Sequence, residues 1–225
     1  MYYVLFSVPM KVFFALIIAF ILTRNSRLIS VYRSVYYLPS LIGGSVAVSL
    51  VWKELFASKG VINSMLAAFG FKETIYWMGD PRYAIWILIL LTVWQFGSSM
   101  IIFAAGLKQI PVSYYEAAKM DGGSLTQQFF YITLPCLSPV IFFNLVMQTI
   151  SGFMTFTQAF IITNGGPTDS TLFYALNIYK RAFNYFEMGY ASAMAWVLLV
   201  MIAGVTALIF KSSSAWVFYE SKGGK

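Results

Sequence analysis

The chain has 225 residues, of which 60% are hydrophobic and 10% are charged, and its formal net charge is +7. Soluble domains usually carry about 25% charged residues, so this composition and a mean hydropathy of +0.75 exclude an ordinary soluble domain. The chain has no histidine, and Cys136 is its only cysteine. An internal disulfide is therefore impossible, and the commonest catalytic base and metal ligand is missing, so we expect no catalytic residue and no metal site.

Five apolar runs set the predicted architecture. A helix needs about 20 mostly apolar residues to cross a bilayer, and backbone polar groups in lipid must be satisfied within the helix. The runs therefore predict an all-α, polytopic membrane helix bundle with spans at residues 2–23, 34–56, 84–107, 137–162 and 189–210. The first run is too long for a signal peptide and lacks a small-residue cleavage site, so we predict a retained span.

The basic residues predict the orientation. An odd number of spans places the termini on opposite sides, and positive residues favour the cytoplasm. The favoured orientation puts the C-terminus and the loop at 108–136 in the cytoplasm, together with Arg24, Arg27, Arg33, Lys108, Lys119, Lys211, Lys222 and Lys225. The cations are scattered between spans and form no basic stripe, so we expect no nucleic-acid partner.

The connecting segments on the outer side also contain sequence patterns that predict local structure. Trp77, in the loop at 57–83, fits an interfacial aromatic anchor. The sequence NGGP at 164–167 is a strong turn signal. Apolar residues at helical spacing over 171–184 predict a helix lying at the outer interface.

The polar insert at 111–135 reads PVSYYEAAKMDGGSLTQQFFYITLP. Ser113 and Glu116 have the spacing of a capping box, and Ser124 and Gln127 have that of a second one. Two glycines at 122–123 fit a helix stop between them, and the second helix is predicted to end near residue 134 because a proline follows. The insert is therefore predicted to be an elbow of two short helices, within a single membrane domain that spans 1–225.

The same insert resembles a signature of ABC importer permeases, EAA-x3-G-x9-I-x-LP. Seven positions fit it with correct spacing: Glu116, Ala117, Ala118, Gly122, Ile132, Leu134 and Pro135. Residues 33–39, a W-x-x-D-P element at 77–81 and a T-x-G-G-P element at 163–167 extend the resemblance to MalF-like carbohydrate permeases. That family has a type I importer permease fold and normally begins with another span, which is missing here, so we expect a truncated chain or a different start.

In that family the elbow is a coupling helix that docks on a cytoplasmic ATPase. The resemblance implies docking residues at Glu116, Ala117, Ala118, Lys119, Asp121, Gly122, Gly123, Ile132, Leu134 and Pro135. It also implies a bacterial inner-membrane location and four kinds of partner: a homologous second permease, two ATPase subunits, an external solute-binding protein and membrane lipid. Mg-ATP would bind the ATPase subunits, so no cofactor is expected in this chain.

Polar residues inside the third and fourth spans predict the cargo pathway, because such residues are costly in lipid and tend to be functional. The candidates are Trp94, Gln95, Ser98, Asn144, Gln148, Gly152, Thr155 and Gln158. Gln148, Gly152 and Thr155 share one helix face. Amide, hydroxyl and aromatic groups suit a sugar, but the same residue types also bond neighbouring helices.

Lys11 falls near the middle of the first span, where an unpaired cation is costly. Four interpretations stay open: it faces the bundle, pairs with a partner subunit, attracts an anionic cargo such as an acidic sugar, or snorkels to the interface.

The sequence thus predicts a non-enzymatic permease subunit of an ATP-driven, binding-protein-dependent importer for a sugar or oligosaccharide. An importer for glycerol phosphate, an amino acid or a peptide remains an alternative. A stand-alone channel or secondary transporter would have no reason to carry the elbow. A membrane enzyme lacks paired carboxylates in any span, and the absence of a G-x4-G-K-[ST] loop assigns ATP hydrolysis to a partner.

Overall fold

The computed structural model describes residues 1–23, 29–71 and 73–218, and the regular secondary structure in these ranges is helical throughout. The helices are α1 (Tyr2–Ile21), α2 (Ile29–Ile42), α3 (Val46–Leu55), α4 (Val61–Ala68), α5 (Pro81–Trp94), α6 (Gly97–Gln109), α7 (Val112–Met120), α8 (Leu125–Gln128), α9 (Leu134–Phe153), α10 (Thr157–Ile162), α11 (Tyr174–Tyr179) and α12 (Met188–Trp216). Two π-helical turns follow α8 and α11, at Phe129–Thr133 and Lys180–Asn184.

The predicted membrane bundle is confirmed. Three continuous stretches are long and apolar enough to cross a membrane, and two bent helix pairs bring the number of crossings to as many as five. Each of the five apolar runs corresponds to one of these stretches or pairs, because run length alone decides whether a segment can span the hydrocarbon.

The second run is not the single helix that its length predicted. α2 and α3 meet at an angle of 97°, because Gly43 and Gly44 have low helix propensity and Ser45 starts a new helix. The Ser45 hydroxyl accepts a hydrogen bond from the backbone N–H of Val48 at 3.3 Å, which satisfies one of the free donors at the start of α3.

The third run is also divided, since α5 and α6 are bent by 41° at Gln95 and Phe96. α5 begins at a predicted sequence element: the Asp80 carboxylate accepts from the backbone N–H of Arg82 at 2.8 Å, and Pro81 occupies the first helical position. The element at 77–81 is therefore a helix start.

α1 lies at the centre and packs against α5, α6 and α9. Its buried face repeats at helical spacing through Val8, Val12, Ala15 and Ala19. These residues form one apolar cluster with Met100 and other buried residues of α6. A second cluster joins α5 to α10 and α11.

Hydrogen bonds organise the loop between α3 and α5. The amide of Asn63, on α4, donates to the backbone oxygens of Ser58 at 3.0 Å and Ile75 at 2.9 Å. Its side-chain oxygen accepts from the indole N–H of Trp77 at 3.0 Å. This bond fixes the orientation of Trp77, and its role as an interfacial anchor stays a prediction.

The helix predicted at 171–184 begins later, at Tyr174, and ends in a π-helical turn. Thr171, the first residue of the predicted helix, is instead bonded to the turn predicted at 164–167. The buried Thr171 hydroxyl donates to the Gly166 backbone oxygen at 2.7 Å and lies 2.6 Å from the Thr163 hydroxyl oxygen. Side-chain bonds therefore hold both ends of this loop together.

Gly97 allows α6 to approach α2 closely. A Cβ at Gly97 would lie 2.7 Å from the Cα of Tyr37, whereas a Cβ at Gly204, on α12, would meet no atom within 4 Å. We expect Gly97→Ala to lower stability by about 1–3 kcal/mol through overpacking, and Gly204→Ala to be neutral or stabilising by up to about 1 kcal/mol. Thermal unfolding of the purified protein in detergent measures both, and equal Tm values for the two variants would contradict this packing.

Candidate functional site

A cavity of about 250 Å³ lies where three interrupted helices meet α1. Gly44 comes from the α2–α3 break, Gln95 from the α5–α6 break, and Met154 to Phe156 from the segment between α9 and α10. Ser7, Val8, Lys11, Thr92, Gln148, Ser151, Gly152, Thr157 and Gln158 complete the lining. Backbone that is not helical at membrane depth is tolerated only where it is buried in protein or lines a water-filled cavity, and these breaks meet that condition.

Two of the breaks are joined by side-chain bonds. The Gln95 amide donates to the backbone oxygen of Gly43 at 3.2 Å. In return, the Ser40 hydroxyl donates to the backbone oxygen of Gln95 at 3.0 Å and accepts from the backbone N–H of Ser98 at 2.9 Å. Backbone groups that lack a helical partner at one interruption are therefore hydrogen-bonded by side chains from the other interruption. These bonds fix α2 against the start of α6.

The third break ends α9. The chain leaves the helix at Met154 and resumes at Thr157, and the Thr155 hydroxyl donates to the Ser151 backbone oxygen at 3.2 Å. Gly152 sits against Val4 and Val8 of α1, where a Cβ would come within 3.4 Å of a valine methyl. The small side chain lets α1 form one wall of the cavity.

Other polar contacts connect the cavity walls. The Gln148 amide donates to the Ser99 hydroxyl at 3.1 Å, linking α9 to α6. The hydroxyls of Tyr3 and Thr92 lie 2.6 Å apart, linking α1 to α5. By contrast, the amide of Gln158 makes no hydrogen bond to any residue that the structure describes, so it is available to a ligand.

Five of the eight residues predicted for the pathway line this cavity: Gln95, Gln148, Gly152, Thr155 and Gln158. The structure brings them together although Thr155 and Gln158 lie beyond the end of α9. The other three lie in packing contacts. The centroid of the Trp94 ring is 5.4 Å from that of Trp52, and the Ser98 backbone N–H, in α6, donates to the Ser40 hydroxyl of α2. Asn144 is 1% exposed, and its side-chain amide donates to the Val140 backbone oxygen at 3.1 Å.

Sequence reasoning missed several lining residues, among them Ser7, Gly44 and Thr157. A signal for one of them was present, since two glycines followed by a serine inside an apolar run indicate a helix break. Lys11, which the sequence left open, lines the cavity as a half-buried side chain.

The insert at 111–135 forms the predicted elbow with a regular turn. α7 ends in a Schellman motif: the backbone N–H of Gly123 donates to the Ala118 oxygen at 2.8 Å, and that of Gly122 donates to the Lys119 oxygen at 3.2 Å. Gly122 has φ +77°, which disfavours any residue with a Cβ. Ser124 then starts α8 with a complete capping box to Gln127.

Two details of the elbow were predicted wrongly. Ser113 is not a helix cap, because α7 already begins at Val112 with Pro111 at the N-cap and no side-chain cap bond. The second helix does not end near Leu134, because the π-helical turn at 129–133 joins α8 to α9. A proline ring clashes with the carbonyl four residues before it in a regular helix, and the wider π turn accommodates Pro135.

The ten residues implied to dock on the ATPase fall into an exposed group and a half-buried group. Glu116, Ala117, Lys119, Asp121 and Gly122 are exposed, whereas Ala118, Gly123, Ile132, Leu134 and Pro135 are half-buried. The hydroxyls of Tyr115 and Thr133 lie 2.9 Å apart, so α7 is bonded to the π turn that leads into α9. The exposed group therefore sits on a base anchored to the membrane helices.

Residues 1–215 match the family described as binding-protein-dependent transport system inner membrane component, and the chain belongs to this family. It is 59% identical over 222 residues to the probable ABC transporter permease protein YesP of Bacillus subtilis (strain 168), covering 98% of this chain and 72% of YesP. It is 35% identical over 210 residues to the lactose transport system permease protein LacF of Rhizobium radiobacter, covering 91% of this chain and 70% of LacF.

A crystal structure of a bacterial ABC transporter involved in the import of the acidic polysaccharide alginate has the same fold. Its TM-score is 0.78 at 25% sequence identity, over 93% of this chain and 73% of that one. The chain is thus a permease component of an ABC transporter in the inner membrane, and the family resemblance and the predicted fold class are confirmed.

The two elbow serines allow a matched test of the capping contacts. Ser124→Ala should remove the cap of α8 at a cost of about 0.5–2 kcal/mol, whereas Ser113→Ala should cost almost nothing because Ser113 caps no helix. Hydrogen exchange of the purified protein should show faster exchange at 125–128 in Ser124→Ala only. Equal acceleration in both variants would contradict the assignment of Ser124 as the only one of these two serines that caps a helix.

Proposed function

We propose that this chain forms one half of the translocation pathway of an ATP-driven, binding-protein-dependent importer for a saccharide. The observation that carries the proposal is the cavity at the three helix breaks, which combines amide and hydroxyl groups with the ring of Phe156. Such groups can replace the water molecules around sugar hydroxyls, while an aromatic ring can contact the apolar face of a pyranose.

A series of aromatic rings supports a carbohydrate cargo. Phe156 lines the cavity and stacks on Phe160 with ring centroids 5.4 Å apart and an interplanar angle of 14°. Tyr179 contacts both rings, at 5.0 and 5.3 Å, and Phe183 follows at 5.0 Å with 55% of its surface exposed. The series therefore connects an exposed aromatic ring to the ring that lines the cavity.

The named cargoes of relatives also support a saccharide. LacF is a lactose transport permease, and the structural neighbour takes part in alginate import. One of these cargoes is neutral and the other is acidic. The relatives therefore favour a carbohydrate cargo but do not indicate whether that cargo is charged.

The elbow is proposed to dock on an ATPase subunit. α7 has no buried residue, and the two ends of the Gly122 turn present apolar side chains to solvent, with Met120 86% exposed and Leu125 80% exposed. Exposed apolar residues flanked by the charges of Glu116, Lys119 and Asp121 fit a protein interface. The half-buried Ile132, Leu134 and Pro135 would then transmit the docking force to α9.

The complete importer would contain this chain, a homologous second permease, two ATPase subunits that bind Mg-ATP, and an external solute-binding protein. The C-terminus is proposed to lie on the cytoplasmic side with the elbow. In support, the backbone N–H of Phe218 donates to the Ser138 hydroxyl at 2.8 Å, and the same hydroxyl donates to the Pro135 backbone oxygen at 2.6 Å. The end of α12 therefore lies beside the base of the elbow.

Cysteine cross-linking tests the docking surface. In a Cys136→Ser background, Met120→Cys should cross-link to an ATPase subunit in membranes, because Met120 lies at the tip of the elbow. Phe69→Cys is the matched control, since Phe69 is 83% exposed at the end of α4. Cross-linking of Phe69→Cys to the ATPase, or failure of Met120→Cys to cross-link, would contradict the docking assignment.

Saccharide-stimulated transport tests the cavity. Gln158→Ala should lower uptake at subsaturating cargo about two- to tenfold, since it removes one hydrogen bond worth about 0.5–1.5 kcal/mol. Gln109→Ala, at the exposed end of α6 and outside this cavity, should change uptake little.

The measurement is uptake and ATP hydrolysis by the reconstituted complex with its binding protein. If amino acids or peptides stimulate hydrolysis and saccharides do not, the carbohydrate assignment is wrong. If the two glutamine variants lose uptake equally, the cavity is not the pathway.

A further inference from the structure

Among the residues that the structure describes, Lys11 is the only cationic side chain that lines the cavity, and no described carboxylate lies in that lining. It lies one helical turn from Ser7, another lining residue, so the two side chains share the face of α1 that is directed into the bundle. This placement favours the interpretation that Lys11 faces the bundle over the one that it snorkels to the lipid interface.

Nothing within the described part of the chain neutralises this lysine. Lys11 makes no hydrogen bond or ion pair to a residue in 1–23, 29–71 or 73–218. The ion pair formed there joins Arg181 to Glu187 at 3.0 Å, far along the sequence in the segment before α12. A cation held at membrane depth without a partner is costly, and such residues in membrane proteins mark substrate or ion pathways.

The surrounding groups define what kind of anion would fit. Apart from Lys11, the described lining is uncharged, and its polar side chains are hydroxyls and amides, including Ser7, Gln95 and Gln158. On this chain's half of the proposed pathway, one ammonium group balances one negative charge, whereas a phosphate monoester would bring nearly two. A monoanionic group attached to a hydroxyl-rich molecule matches this set.

We propose that the cargo is a saccharide that presents a single negative charge to this half of the pathway, and that Lys11 is the residue that selects it. This inference rests on the proposed function, since it assigns the charge of the cargo of the same cavity. The carboxylate of a uronic acid is the chemistry we favour, and a sulfonate is the other common monoanion. The Lys11 ammonium donates to the anionic oxygens while the uncharged side chains bind the sugar hydroxyls.

The test compares a saccharide uronate with its neutral methyl ester in the reconstituted complex. Cargo affinity of the isolated binding protein is measured separately, and both cargoes are used at equal saturation of that protein, so that any remaining preference belongs to the permease. A sulfonated saccharide forms a third arm, which tells whether the site requires a carboxylate or accepts either monoanion.

The wild-type complex should transport the uronate at least about tenfold faster than the ester. Lys11→Gln should lower uronate uptake about tenfold or more, because a charge-assisted hydrogen bond becomes a neutral one, and should leave ester uptake unchanged. Lys11→Arg should keep most of the uronate uptake. Lys211→Gln, a control that removes an exposed lysine of α12, should change neither.

Several results would overturn the proposal. They are equal wild-type uptake of acid and ester, unchanged uronate uptake in Lys11→Gln, or an equal loss for both cargoes in a Lys11→Gln complex that assembles normally. The last result would assign Lys11 to contacts with the second permease. Should Lys11→Gln fail to assemble, the wild-type preference decides alone. If no saccharide of any charge drives uptake, the proposed function itself fails, which is a distinct outcome.

Discussion

The satisfaction of backbone polar groups at membrane depth is the constraint on which this structure depends. Each of three helix interruptions frees N–H and C=O groups that lipid cannot satisfy. Two of the interruptions satisfy one another through Gln95, Ser40 and the Gly43 backbone oxygen, and all three border one cavity. The breaks thus meet at the cavity, and the amides and hydroxyls that line it are groups that would bind the saccharide of the proposed importer.

The same architecture connects the elbow to the cavity mechanically. α9 begins at the π-helical turn beside the elbow and ends at the break that lines the cavity, and its 20 residues span about 30 Å at 1.5 Å per residue. The Tyr115–Thr133 contact bonds α7 to the start of this helix. In the proposed importer, a displacement of the docked elbow would therefore reach the cavity along one continuous helix, without requiring movement through flexible loops.

The elements that depend on the length of an apolar run or on local helix capping were predicted correctly from the sequence. Apolar run length predicted the spans, and glycine and serine chemistry predicted the turn at Gly122 and the box at Ser124. Sequence reasoning missed the helix breaks, because hydropathy measures the length of an apolar run and not the continuity of its backbone. It also failed to separate the lining residue Gln158 from the packing residue Asn144, since both are amides in the same apolar run and only the tertiary contacts distinguish them.

In the proposed importer, the cavity would have to bind its cargo weakly enough to release it, and its composition fits that requirement. Single hydrogen bonds between uncharged groups contribute only about 1 kcal/mol each, so a lining of hydroxyls and amides offers many small contributions and no single strong one. Lys11 is the exception, because one full charge in such a lining outweighs any single neutral bond. In the proposed importer, selectivity and release would therefore reside in different groups: the charge would decide which cargo enters, and the uncharged majority would keep the total affinity low enough for the cargo to leave.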